Sequence, residues 1–148
     1  MTDDEYATFS ATMWEDYAQT RARNSGAPIE EERATSAQQR DQLLPNGLHT
    51  PDQLFWQVVT PDGASVGVLW VHVEPAKRQA FIYQIEMAPD QRGKGYGQAT
   101  LEALEATLKP LGIANIGLNV FGDNTVAMRL YTKLGYQVVA TNMRKPLT

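Results

Sequence analysis

Asp90-Gln91-Arg92-Gly93-Lys94-Gly95-Tyr96-Gly97 is the stretch on which the reading of this chain turns. It separates two different patterns. Before it, Ala80 to Met87 carries Phe81, Ile82, Tyr83 and Ile85, the aromatic and β-branched content of a strand. After it, Leu101, Leu104 and Leu108 fall on one helical face, so a helix follows and ends near Leu108. Glycines between a strand and a helix let the backbone turn sharply and approach a ligand closely. The free N–H groups of a helix start, with the helix dipole behind them, bind phosphate oxygens. Arg92 and Lys94 add positive charge beside them. The local physics is that of a phosphate or pyrophosphate site.

The spacing of the glycines separates the candidate patterns. A P-loop requires G-x-x-x-x-G-K-[ST], but Gly93-Lys94 is followed by Gly95 and no glycine lies five residues before Gly93. A dinucleotide fingerprint requires G-x-G-x-x-G and an acid about 20 residues on. Here the spacing is G-x-G-x-G, and residues 112–119 contain no acid. The pattern [Q/R]-x-x-G-x-[G/A] is matched by Arg92, Gly95 and Gly97 in every fixed position.

Outward from the loop, the chain organises itself. Ala114 to Phe121 is a short apolar strand, so Ala80 to Phe121 is a strand–helix–strand unit whose strands can lie parallel. Asp123 or Asn124 caps a further helix carrying Ala127, Leu130, Tyr131 and Leu134 on one face, closed by Gly135. Tyr136 to Arg144 reads as a last strand. Upstream, Gln53 to Thr60 and Ser65 to Glu74 are strands joined by Pro61-Asp62-Gly63, and with the strand ending at Met87 they form an antiparallel meander. Asp3 to Asn24 predicts a helix with Tyr6, Phe9, Met13 and Tyr17 on one face. A second helix, opened by Pro28 and Glu30 to Glu32, runs to about Leu44.

At the loop and beyond it the chain resembles the GCN5-related N-acetyltransferase (GNAT) superfamily. Met87 to Gln91 looks like the family's strand end and turn. Leu118-Asn119-Val120, Asn124, Ala127, Leu130-Tyr131 and Leu134-Gly135-Tyr136 are similar to its second motif. The match covers about Gln53 to Lys145. It implies an α/β fold with a mixed, mostly antiparallel twisted sheet, split at the coenzyme site and flanked by helices. It also implies one N-acetyltransferase domain over residues 1–148. Residues 1–50 would be a helical acceptor-side segment, and residues 51–148 the sheet and acetyl-CoA site. The family usually begins with a short strand; here the chain enters a helix within about three residues, so that strand is missing or very short.

The resemblance also implies roles. Backbone amides of Arg92, Gly93, Lys94, Gly95, Tyr96 and Gly97, with Gln98, would cradle the pyrophosphate of coenzyme A. The backbone of Met87 and Ala88 would pair with the pantetheine arm, as an added strand would. Asn124 would reach the pantetheine, cap its helix, or do both. Tyr131 sits where many members keep a tyrosine that protonates the departing thiolate, although an aromatic on an apolar stripe also suits a core. Glu86 is the acid of the strand before the loop: a candidate base, acting directly or through water, or a solvated or ion-paired residue. Alternation puts Glu86 with Gln84 and Ile82, opposite Tyr83, Ile85 and Met87. Glu86 and Tyr83 are the candidates for lining the amine pocket.

The expected activity is transfer of an acetyl group from acetyl-CoA to a primary amine by direct attack. The acceptor would be a small molecule or a protein amine. The alternative is a coenzyme-A-binding sensor of the same fold without the chemistry. Composition bounds the rest. The net charge is −4. Residues 1–50 hold nine acids and four bases, compatible with a cationic substrate or simply with a solvated helical surface. An acidic chain without a basic stripe is a poor nucleic-acid binder. No apolar run suits a membrane span, and residues 1–10 lack the pattern of a secretory leader, so a cytoplasmic location is expected. There is no cysteine, and His49 and His72 stand alone, so no metal is expected. A homodimer would suit a small α/β enzyme.

Overall fold

The computed structural model describes residues 1–147. The chain divides into two compact units, one spanning Met1–Leu118 and a second beginning at Asn119. In the first, α1 (Asp3–Ser25) and α2 (Ile29–Leu43) precede β1 (Gln53–Val59), β2 (Ser65–Glu74) and β3 (Gln79–Met87). α3 (Tyr96–Leu108) and β4 (Asn115–Leu118) complete it. The second contains α4 (Thr125–Lys133).

α1 begins at once because Thr2 and Glu5 close a capping box: the Thr2 hydroxyl accepts from the Glu5 N–H, and the Glu5 carboxylate from the Thr2 N–H. It ends where Gly26, at φ 75°, turns left-handed and donates its N–H to the Ala22 carbonyl. No strand precedes α1 among the described residues. α1 and α2 are tied together by charge. Glu32, buried, accepts from Arg21 Nε at 2.6 Å and from the Ser25 hydroxyl at 3.0 Å. Arg33 reaches back to Glu15 at 2.8 Å.

The sheet has the order β1-β2-β3-β4, antiparallel except for the β3–β4 pair. One face carries an aromatic row. Phe55, Trp70 and Tyr83, one from each of the first three strands, stack at 5.4 and 4.6 Å. α1 lies on this face, with Tyr6 and Phe9 against Phe55 and Trp14 against Trp70. The opposite face, with Leu69, Val71 and Ile82, is buried, as are Leu101, Leu104 and Leu108 of α3, which packs on β3.

Three expectations are corrected. β4 ends at Leu118, not Phe121. Residues 136–144 form no strand, for the sheet has only four. Their sequence has strand chemistry, but Val138, Val139 and Met143 are 67–96% exposed. β propensity is a fit to a half-buried pleated surface, and without that surface it makes no ladder. The third correction concerns β3. The β2–β3 register runs Trp70↔Gln84 and then Val71↔Ile82, leaving Tyr83 as an extra, bulged residue. The bulge breaks simple alternation. Tyr83 shares the α1 face with Trp70, Gln84 and Glu86, while Ile82 turns to the other side.

Candidate active site

The β3–β4 ladder pairs Gln79–Ile82 with Asn115–Leu118 and then stops, one residue before the bulge. A bulge bends a strand and increases its twist, so β3 leaves its neighbour where the extra residue sits. From Tyr83 to Met87, β3 continues with β2 alone. The Ala88 N–H donates to the Val66 carbonyl at 2.9 Å, so Ala88 faces β2. The neighbouring Met87 backbone therefore faces the side where β4 has ended. Of the two residues expected to offer backbone to a pantetheine arm, Met87 turns toward that side with its carbonyl accepting from Arg92 Nε, and Ala88 has spent its donor on Val66.

Gly67 allows this strand end to close. A Cβ there would lie 2.5 Å from the Glu86 carbonyl oxygen and 2.7 Å from the Met87 sulfur. The sequence signal was present, a glycine inside a strand run, but its meaning depends on which residue faces it.

After the turn at Pro89–Gln91 the loop opens α3. Gly93 and Gly95 stand at φ 76° and 85°, and a Cβ on either would meet nothing within 4 Å. Gly95 is the N-cap of α3. The first turn of a helix leaves its N–H groups without intrahelical acceptors, here those of Tyr96 and Gly97. The result is an open backbone turn at a helix N-terminus, chemistry that suits a phosphate group. The basic side chains of the loop are turned to other partners. Lys94 Nζ bonds the Gln91 side chain at 3.2 Å. Arg92 Nε donates to the Met87 carbonyl and its terminal nitrogen pairs with Glu86, both at 3.2 Å. Gln98 bonds Glu102 along α3.

Glu86 is thus an ion-paired carboxylate, 43% exposed, whose second oxygen accepts from the Gln84 amide at 3.0 Å. It lines a cleft beneath α1, in register with Val68 and Gln57. Tyr83 is 37% exposed at the bulge. The structure therefore brings Tyr83, Glu86, Met87 and the glycine loop onto one continuous stretch around the end of β3.

Asn124 and Tyr131 belong to the second unit. Asn124 caps α4, its side-chain oxygen accepting from the Ala127 N–H at 3.2 Å. Tyr131 lies 5.6 Å from the Tyr136 ring. Its carbonyl accepts from the Tyr136 N–H across left-handed Gly135, at φ 94°, which closes the helix. Burial pushes the Tyr131 hydroxyl up from its ordinary value, which already lies well above neutral. His49 bonds Asp3 and His72 bonds Gln53. Among the described residues no group of three or more metal-ligating side chains lies together, and no helix is long and apolar enough to cross a membrane.

The fold is a mixed α/β sheet flanked by helices, with a glycine loop at the start of α3, and comparison with known proteins gives its class. Residues 11–136 match the Acetyltransferase (GNAT) family. The uncharacterized N-acetyltransferase YdgE of Bacillus subtilis is 30% identical over 99% of this chain and 95% of its own length. The solved structure of YycN, an uncharacterized N-acetyltransferase of the same organism, superposes with a TM-score of 0.94 at 32% identity. That match covers 100% of this chain and 96% of the YycN chain. The mycothiol acetyltransferase of Saccharomonospora viridis is 32% identical over 61% of this chain and 32% of its own length. The chain belongs to the GNAT family of N-acetyltransferases.

Proposed function

We propose that the chain acts as a single N-acetyltransferase domain, moving an acetyl group from acetyl-CoA to a primary amine by direct attack. The observation that carries this is the pair of left-handed glycines opening α3, beside a strand end that runs on past β4 from the Tyr83 bulge. In this reading the amides from Gly93 to Gly97 hold the pyrophosphate. The Met87 backbone takes the pantetheine arm. Arg92 and Lys94 contribute chiefly through their backbone, because their side chains bond neighbours.

The coenzyme supplies an activated acetyl group as a thioester. Glu86, directly or through water, takes the proton from the acceptor ammonium. The amine nitrogen then bonds the acetyl carbon as the carbon–sulfur bond breaks. Tyr131 donates its hydroxyl proton to the departing sulfur, and the second proton, shed by the nitrogen as it becomes an amide, restores the tyrosine through solvent while Glu86 releases its own to water. Asn124 keeps its helix cap and extends toward the pantetheine.

A second reading, a coenzyme-A sensor without chemistry, is favoured by one observation: both Glu86 oxygens are already engaged. A thiol-release screen over small amines and peptide N-termini separates the two. Release on one acceptor class is the expected result. Coenzyme binding with no release on any acceptor would favour the sensor.

A further inference from the structure

Glu86 is held from two sides. Its Oε1 accepts from a terminal nitrogen of Arg92 at 3.2 Å, and its Oε2 from Gln84 Nε2 at 3.0 Å. The two donors differ in kind. Arg92 comes from the loop beyond the strand, and its side chain is 58% exposed. An ion pair so open to water is screened and holds a geometry only weakly. Gln84 is half-buried and precedes Glu86 by two residues on the same strand. In register, Gln84 lies beside the fully buried Trp70, and Glu86 beside Val68. Side chains two apart on a strand share a face, so the amide reaches the carboxylate without any change of backbone.

This hold does not block a base. An ionised carboxylate offers about four lone-pair sites, and the two hydrogen bonds leave one site open on each oxygen. Those sites can accept from an ammonium. What the Gln84 bond removes is freedom. A glutamate side chain turns about several bonds, and an amide on one oxygen selects one setting of them. The amide is also neutral, so it orients the carboxylate without cancelling its charge, whereas Arg92 offsets that charge.

We propose that Gln84 is a positioning residue for the reaction, fixing the plane of the Glu86 carboxylate so that its open lone pairs meet the acceptor ammonium. The assignment rests on the acetyl-transfer reading above, in which Glu86 takes the proton. It gives the engaged oxygens, the observation that favours a sensor, a part in the chemistry instead. Gln84 touches no reacting atom and acts through Glu86.

The test is a double-mutant cycle in the full chain, read by thiol release from acetyl-CoA. Ethylamine, glycinamide and trialanine are tried as acceptors, and the fastest is carried forward. Gln84→Met keeps the length of the side chain and removes the donor. It should lower kcat about tenfold while the KM for acetyl-CoA stays within about twofold. Added to Glu86→Gln, it should lower kcat by less than about twofold, because the group it positions is gone. A structural role would cost the same in both backgrounds. Gln84→Asn keeps an amide but draws it back by one methylene. It should repeat the loss, and it stands in if circular dichroism shows that methionine disturbs the fold. Undiminished kcat in Gln84→Met, or equal losses in both backgrounds, would overturn the proposal, and a slow Glu86→Gln would still leave Glu86 as the base. Undiminished kcat in Glu86→Gln removes the base and the proposal with it. Coenzyme binding without release on any of these acceptors overturns both the acetyl-transfer reading and the proposal.

Discussion

Tyr131 and Gly67 play different parts in the proposed reaction. Tyr131 carries the proposed proton donor, a hydroxyl whose pKa burial raises further above neutral. Replacement by Phe removes only the hydroxyl, so coenzyme affinity should change by less than about twofold while kcat falls by about 10²-fold, the scale of general acid catalysis. Steady-state kinetics beside calorimetry reads both quantities, and equal turnover in the two proteins would remove Tyr131 from the mechanism. Gly67 carries no chemistry. Its Ala variant would drive a methyl to 2.5 Å from a backbone oxygen that cannot swing away. Overpacking of this kind costs about 1–3 kcal/mol, measurable by urea denaturation. Coenzyme affinity should fall with it, because Met87 is the strand end that must move. Unaltered stability would mean that β2 and β3 are not so closely apposed.

At the scale of elements, the α1–α2 hairpin should show its ion pairs in acid. The Arg33 hydrogen bond, aided by Gln19, holds the Glu15 carboxyl at about 2, down from 4.5. A carboxylate depressed on folding adds stability that is present above its unfolded value and lost as pH falls through its folded one. Arg33→Ala should therefore lower Tm slightly near neutral pH, with the gap from the unaltered protein closing between about 4.5 and about 2. Added salt should shrink the gap, since the pair is exposed. A gap that persists at the acid end would assign the effect to something other than this charge. The elements themselves were largely readable. Tyr6, Phe9 and Met13 mark α1, and Leu101, Leu104 and Leu108 mark α3, because a buried stripe on a helix leaves a period in the sequence. The Tyr83 bulge leaves none. Ile82-Tyr83-Gln84 looks like ordinary strand, and the extra residue exists only relative to β2, so Tyr83 and Glu86 were expected on opposite faces. Residues 136–144 erred the other way, with strand composition but no paired surface.

For the whole molecule, the family and the turn of the glycine loop into α3 were legible because both depend on local backbone chemistry: Gly93 and Gly95 turn left-handed, and Gly95 opens a helix. The cleft beneath α1 was not. The cleft joins Asp4 and Glu5 to Glu86 over some eighty positions of chain, and only the register Gln57–Val68–Glu86 and the seat of α1 bring them together. The same contrast ranks the claims. Holding the pyrophosphate on the bare backbone of the loop comes first, and every catalytic role assumes it. Calorimetric titration of acetyl-CoA into the unaltered protein and its Gly95→Asp variant tests that most directly. The account predicts micromolar binding in the first and none in the second, since the variant sets a carboxylate where phosphate belongs. Equal affinity in both, or no binding to the unaltered protein, would contradict it.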